Sequence, residues 1–257
     1  MPTLKQAPNE EELQKLIRLF LKAETDIINE IGRLRSQGLV DYHAVAALER
    51  AQLILRKLES DCWEYVPKMI EKQFYVRVPE ARKILESAAK HLAGYANASA
   101  LTAAQWNVVE SLVMNLMGEI TEANMTCMDF LQENILGRRE NDIYRRIGLE
   151  NVASMEATGR GVRKQVPEFV QSLVNEGVTA FIDKAGRHWS LHTYGAMVCR
   201  TTSRQAEVMA VLTADPEHDL YKISSDNTRC GVCAAFEGGV YSRGGKDPAF
   251  PPLASAF

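Results

Sequence analysis

Thr102–Leu131 reads TAAQWNVVESLVMNLMGEITEANMTCMDFL. Its apolar residues Val108, Val109, Leu112, Val113, Leu116, Met117, Ile120 and Met128 recur at three- and four-residue intervals, the spacing of one side of an α-helix. Thr102 followed three residues later by Gln105 is a capping box, so the helix is expected to start at Ala103 and to run past Leu131. A methionine-rich stripe of this kind reads as packing surface, because the flexible thioether fills irregular gaps. One long helix with a continuous dry side needs other helices to cover it, and the reading of this stretch therefore sets the fold class.

The residues before it supply those helices. From Glu10 to about Arg35 the apolar positions Leu13, Leu16, Ile17, Phe20, Ile27, Ile28, Ile31 and Leu34 again follow helical spacing, and Gly38 is a natural stop. Asp41 is placed to cap a second helix through Leu58, with Val45, Leu48, Leu53, Ile54 and Leu55 as its apolar set and a series continuing toward Ile70. Pro67 predicts a break or kink, since proline has no N–H to donate to the preceding turn. Pro79–Leu92 reads as a separate short amphipathic block, followed by the small-residue connector GYANASALT.

Downstream the pattern changes. Residues 136–165 gather Arg138, Arg139, Arg145, Arg146, Arg160, Arg163 and Lys164 among glycines and acids, which predicts a hinge or exposed arm. Such a segment suits phosphate or an acidic protein surface, and equally a solvated face partly paired with Glu140, Asp142, Glu150 and Glu156. VPEFVQSLVNEG predicts a short helix closed by Gly177, and TAFIDKAGRHWSL a hairpin. A helix from His192 to Leu212 follows, then a strand in DLYKIS, a loop carrying Cys230 and Cys233, and a strand in GGVYS. The expected architecture is mainly α: a helical domain over 1–135, the arginine-rich hinge over 136–165, and a small α+β domain over 166–257 with a CxxC knuckle.

Composition narrows the function. With 257 residues and 46 % hydrophobic content the chain can bury a real core, while a formal net charge of −3 supplies no global attraction to nucleic acid. Five cysteines at irregular spacing, with no leader-like opening, fit a reducing compartment such as a cytoplasm. No apolar run approaches the length needed to cross a bilayer, so no membrane partner is expected. P-loop, GxGxxG, GxSxG and HExxH patterns are absent, which argues against the corresponding enzyme classes.

The pair Cys230-Gly231-Val232-Cys233 belongs to either of two chemistries. A redox dithiol requires the pair at a helix start directly after a strand within alternating strands and helices. Here Ser225–Arg229 intervene, no tryptophan precedes Cys230, and the alternation is missing. A zinc knuckle uses the same spacing to place two thiolates on one turn, but tetrahedral zinc takes four ligands. His188, His192, His218 and Cys199 are the nearby reserves, and His188 with His192 is equally a hairpin edge leading into a helix.

The order AFIDKAGRHWSLHTYGAMVCRTTSRQA, HDLYKISSDNTRCGVCAAFEGGVYS and PAFPPL resembles the phage minor capsid protein 2 group, which belongs with the Mu F-like head morphogenesis proteins of tailed bacteriophages. The landmarks are Asp183, Gly186 and Trp189, Tyr194 to Met197, Arg200-Thr201-Thr202, Asp226, Cys230 with Cys233, Phe236, Gly238, Tyr241 and Pro251-Pro252-Leu253, covering roughly residues 165 to 257. The resemblance implies a non-enzymatic, few-copy protein of the phage head at the portal vertex, assembled in the host cytoplasm. It would contact the portal protein, other head proteins and packaged double-stranded DNA, and act in head assembly or DNA passage. It also implies a metal-stabilised knuckle whose second ligand pair lies in a His-Pro-x-Cys-Arg-His-like segment. No such segment precedes Phe257, so Cys230 and Cys233 carry over as candidate zinc ligands in an incomplete set.

Two supporting expectations concern the loop. A buried Arg200 would hold Asp226 or loop carbonyls through charge-assisted hydrogen bonds, and Trp189 with Phe236 would fill the small domain's core. The expected role is structural, with a DNA-binding zinc knuckle and a dithiol oxidoreductase as the alternatives.

Overall fold

The computed structural model describes residues 8–35, 41–86, 100–136, 180–182, 188–225 and 227–256. The fold is mainly helical, as expected. Helix α1 spans Glu10–Arg35, α2 Asp41–Glu86 and α3 Ala103–Leu136. Strands β1 (Ala180–Ile182) and β2 (His188–Ser190) form an antiparallel hairpin with Phe181 opposite Trp189. Helix α4 is Leu191–Leu212. Strands β3 (Leu220–Lys222) and β4 (Val240–Ser242) pair antiparallel with Tyr221 opposite Tyr241, and between them lies the single-turn helix α5, Gly231–Ala234. A 3₁₀ turn covers Leu253–Ala256. The arginine-rich hinge, the VPEFVQSLVNEG helix and the β1–β2 loop fall outside the described residues.

Periodicity reads α1 well. Leu13, Leu16, Ile17, Phe20, Ile27, Ile28 and Ile31 are all buried, and Glu10, Glu11 and Glu12 sit in the first turn, where the helix dipole favours negative charge. The capping box of α3 forms reciprocally: Thr102 N–H donates to Gln105 Oε1 at 2.9 Å and Gln105 N–H to Thr102 Oγ1 at 3.2 Å. The buried stripe of α3 then extends beyond the expected residues through Ala123, Cys127 and Leu131.

α2 departs from the expectation. It continues as one 46-residue helix through Pro67 and Pro79, so the proposed Pro79–Leu92 block is its last part through Glu86. The two prolines deprive the carbonyls of Trp63 and Tyr75 of their helical donors, and both residues are exposed, where water is at hand. The buried series Val66, Met69, Ile70, Phe74, Val78 and Ala81 runs across both prolines, and its packing outweighs their cost. The apolar set is also phased differently: Val45 and Leu53 face solvent, while Ala51, Leu58 and Cys62 are buried instead.

One core joins all four long helices. α4, grouped by the sequence reading with the C-terminal domain, contributes Leu191, Tyr194, Val198, Cys199, Ala206 and Ala210 to the same buried cluster as Phe20, Phe74 and Ile120. At Gly195 the contact is so close that a Cβ would overlap the Phe20 ring, so only glycine lets α1 and α4 approach there. Trp189 packs against this core with its ring 6.4 Å from Tyr194, and does not join Phe236 in a separate one.

Polar ties fix the helices in register. Asn9 Nδ2 donates to the Met69 carbonyl and to Ser203 Oγ, both at 3.0 Å, and Gln73 Nε2 donates to Asn9 Oδ1 at 2.9 Å. Arg77, 1 % exposed, reaches Glu207 at 2.9 Å and Glu80 at 2.8 Å. Arg82 Nε donates to the Ala214 carbonyl at 2.9 Å, and Gln105 Nε2 to that of Thr213 at 2.9 Å. Glu24 accepts the His192 backbone N–H at 2.7 Å, placing a carboxylate at the α4 N-terminus. Buried polar groups need such partners, and these span helices distant in sequence.

Candidate functional site

The second region is an arm, residues 220–256, built on the β3–β4 hairpin. It is clamped to the end of α4 by Arg243, whose guanidinium donates to the Leu212 carbonyl, to that of Asp215 at 3.2 Å and to that of Pro216 at 2.6 Å. Tyr221 hydroxyl donates to the Leu212 carbonyl at 3.3 Å. Asp219 accepts from Ser242 hydroxyl and from Gly244 N–H at 2.7 Å, and these donors hold its carboxyl below the usual carboxylate range. Ser242 N–H donates to the Pro251 carbonyl at 2.9 Å, tying the proline-rich stretch beside β4. Tyr241 is buried with the Phe236 ring 6.5 Å away, so Phe236 does pack within the arm.

Sequence chemistry explains the loop that carries the thiols. Asn227 takes a positive φ of 52°, which asparagine tolerates, and Gly238 takes φ 73°, which calls for glycine. Gly238 N–H donates to the Ile223 carbonyl at 3.1 Å and Ile223 N–H to the Gly239 carbonyl at 2.9 Å, closing the loop at its base. Within it Thr228 N–H donates to Glu237 Oε1 at 2.9 Å and Cys230 N–H to Thr228 Oγ1 at 3.2 Å. Cys230 then occupies the N-cap position of α5, which places its sulfur near the N–H groups of the first turn.

Both thiols face water, with Val232 between them 72 % exposed. The backbone N–H of Cys233, the Cys233 thiol and the N–H of Val232 together lower the Cys230 pKa below the ordinary thiol value. Cys233, beside the sulfur that ionises first, is raised. The other three cysteines behave oppositely: burial pushes Cys127 and Cys199 up to about 12, and Cys62 up as well, so they are inert packing groups. An exposed thiol with a depressed pKa beside a second thiol can bind a soft metal ion or exchange disulfides.

The structure brings together Cys230 and Cys233 but not the rest of the predicted set. Two thiolates are half of a tetrahedral zinc shell, and among the described residues no group of three His, Cys, Asp or Glu is placed to hold an ion. Cys199 is sealed in the bundle, and His218 lies against the Tyr221 ring at 5.0 Å. Arg200, expected to be buried, is exposed on α4, because the residues that α4 turns inward are Cys199, Thr202 and Ser203. Its proposed partner Asp226 falls outside the described residues. Sequence reasoning missed Arg243 as the clamp of the arm. An arginine directly after strand GGVYS was the visible signal, but nothing local shows that the Leu212 carbonyl at the end of α4 and those of Asp215 and Pro216 just beyond it converge on it.

The chain is thus a helical bundle with an outlying thiol-bearing arm tied by hydrogen bonds to one helix end. The sequence model of the phage minor capsid protein 2 family matches residues 4–250, and the chain belongs to that family, a structural component of the phage virion. The match takes in α1 to α3 as well as the C-terminal region in which the resemblance was first visible. No match was found among curated proteins or among solved structures. Among the described residues no helix is long and apolar enough to cross a membrane.

Proposed function

We propose that this minor capsid protein works at the portal vertex of the head, present in several copies, and acts in head assembly or in the passage of DNA. The observation that carries the reading is the span of the family match, which includes bundle and arm together and so assigns both to a virion component. The bundle suits docking. Its polar ties, with those of Thr121 to Glu59 and Tyr194 to Glu119 joining α3, hold four helices as one body, so exposed helix faces are presented without further ordering cost. The arm suits a separate contact, with Cys230 and Cys233 as a two-thiolate half-site for zinc whose remaining ligands come from beyond the described residues.

Co-sedimentation of the full chain with purified portal rings tests the reading, with empty head shells and duplex DNA as competitors. Retention by portal rings alone is expected. Binding to duplex DNA that weakens steeply with salt, with no retention by portal rings, would favour the DNA-binding alternative instead. Metal analysis of protein recovered from particles reports the ion directly, and zinc in proportion to Cys230 and Cys233 is the expected result.

A further inference from the structure

α3 differs from its neighbours in charge. Between Ala103 and Leu136 the sequence has Glu110, Glu119, Glu122, Asp129 and Glu133 and no lysine, arginine or histidine. α1 and α2 carry both signs and pair them on their own surfaces, as in Lys15 with Glu11, Lys57 with Asp61 and Lys68 with Glu64. The outward side of α3 also leaves apolar groups in water: Met114 is 61 % and Met125 63 % exposed.

Part of this face, Met114 with Glu119 and Glu122, lines a groove. α3 and α4 run antiparallel, with Gln105 bonded near the end of α4 and Glu119 accepting from Tyr194 hydroxyl near its start. Between them lies a trough of about 570 Å³ whose lining includes Met114, Gly118, Glu119, Glu122, Met197 and Gln205. At Gly118 a Cβ would meet no atom within 4 Å, so the rim is open and lacks a side chain at its midpoint.

We propose that this trough is the docking site for a basic amphipathic helix of another head protein. A furrow between two helices is the shape into which a third helix packs, and a glycine at its rim permits close backbone approach. Methionines adapt to the apolar side of such a helix. The acids select the charge of its flanks, since a helix bearing only carboxylates attracts lysine and arginine and repels another acidic face. The same charge disfavours a second copy of this chain: a two-fold contact through the trough would bring two acidic α3 faces together. The inference rests on the docking role proposed above and adds the surface and the chemistry of the partner.

The test uses the full-length protein and a fluorescent Lys/Leu peptide of about five helical turns, with leucines at helical spacing, and a twin in which glutamate replaces lysine. The Lys peptide binds, its affinity falls with salt, and Met114→Lys or Glu122→Lys weakens it about tenfold. Leu53→Lys, on the exposed side of α2, leaves it unchanged. A photoreactive group on the Lys peptide labels α3 and α4 in the wild-type protein, a readout that does not depend on any variant folding. Equal binding of the acidic twin, unchanged affinity in both groove variants, or labelling elsewhere overturns the proposal. So does sedimentation showing wild-type dimers that Met114→Lys abolishes, since the occupant is then a second copy. None of these measurements involves the portal, so failure here leaves the portal assay to decide the broader reading.

Discussion

In the bundle Phe20, Phe74, Ile120 and Leu191 are sealed from water on four different helices, whereas among the described residues of the arm only Tyr241 and Ser242 are buried. The bundle is held by a shared apolar core that hydrogen bonds and one buried ion pair keep in register. The arm is held by turns, a two-stranded ladder and the grip of Arg243 on three carbonyls. Burial of a large apolar side chain stabilises by about 1.5–3 kcal/mol, and a net hydrogen bond by about 1 kcal/mol. The arm therefore draws its stability from hydrogen bonds more than from burial, and the bundle the reverse. Cysteine shows the contrast within one residue type: Cys62, Cys127 and Cys199 are locked in the protonated form, and Cys230 ionises early.

The contrast breaks most sharply at the buried ion pair. Arg77→Ala empties a buried volume and removes one of the two cations on the buried Glu207, which keeps Arg204, and the loss expected by denaturant titration is about 2–4 kcal/mol. Replacing both partners by apolar residues of similar volume is expected to cost far less. Gly195→Ala forces a methyl into the Phe20 ring and is expected to destabilise the bundle by about 1–3 kcal/mol in the same titration.

Alkaline pH separates the regions next. The buried thiols have folded pKa values above their unfolded ones, so the unfolded chain loses protons first as pH rises. Their stabilisation is intact below the ordinary thiol value near 9 and falls between there and about 12, by up to about 1.4 kcal/mol per pH unit for each thiol. Cys127→Ala, whatever it costs at neutral pH, is expected to flatten that fall in melts run across this range.

Arg243→Ala acts on the junction. It removes the hydrogen bonds to Leu212, Asp215 and Pro216, and limited proteolysis is expected to cut between α4 and β3 while the melt of the bundle shifts little. The smallest effect on stability belongs to the thiol pair. Cys230→Ser and Cys233→Ser are expected to leave the bundle melt unchanged, and a pH profile of alkylation should show Cys230 reacting at lower pH than Cys233. Cys233→Ala, which removes the side-chain donor to Cys230, is expected to move the Cys230 profile upward. A bundle that melted earlier in either serine variant would show that arm and bundle are one cooperative structure.

Much of this was legible in particular residues. The apolar series of α1 from Leu13 to Ile31 and the capping box of Thr102 and Gln105 depend on neighbours a few positions away and are found as read, and Cys230 and Cys233 share one turn. Pro67 and Pro79 misled because a local penalty was set against packing that the sequence does not display. Arg200 is exposed, against expectation, because the contacts of Cys199, Thr202 and Ser203 decide which side of α4 turns inward, and no local pattern displays them.

The sequence by itself determined that the chain is mainly helical, where the long helices begin, and that two thiols share one turn, since helical periodicity, capping and turn chemistry act over a few residues. Only the tertiary structure decided that α4 joins α1 to α3, that Arg243 holds the arm, and that an acidic trough opens beside Gly118. Asn9 meets Gln73 across 64 residues and Ser203 across 194, and pairings at such separations are chosen by the packing of whole helices.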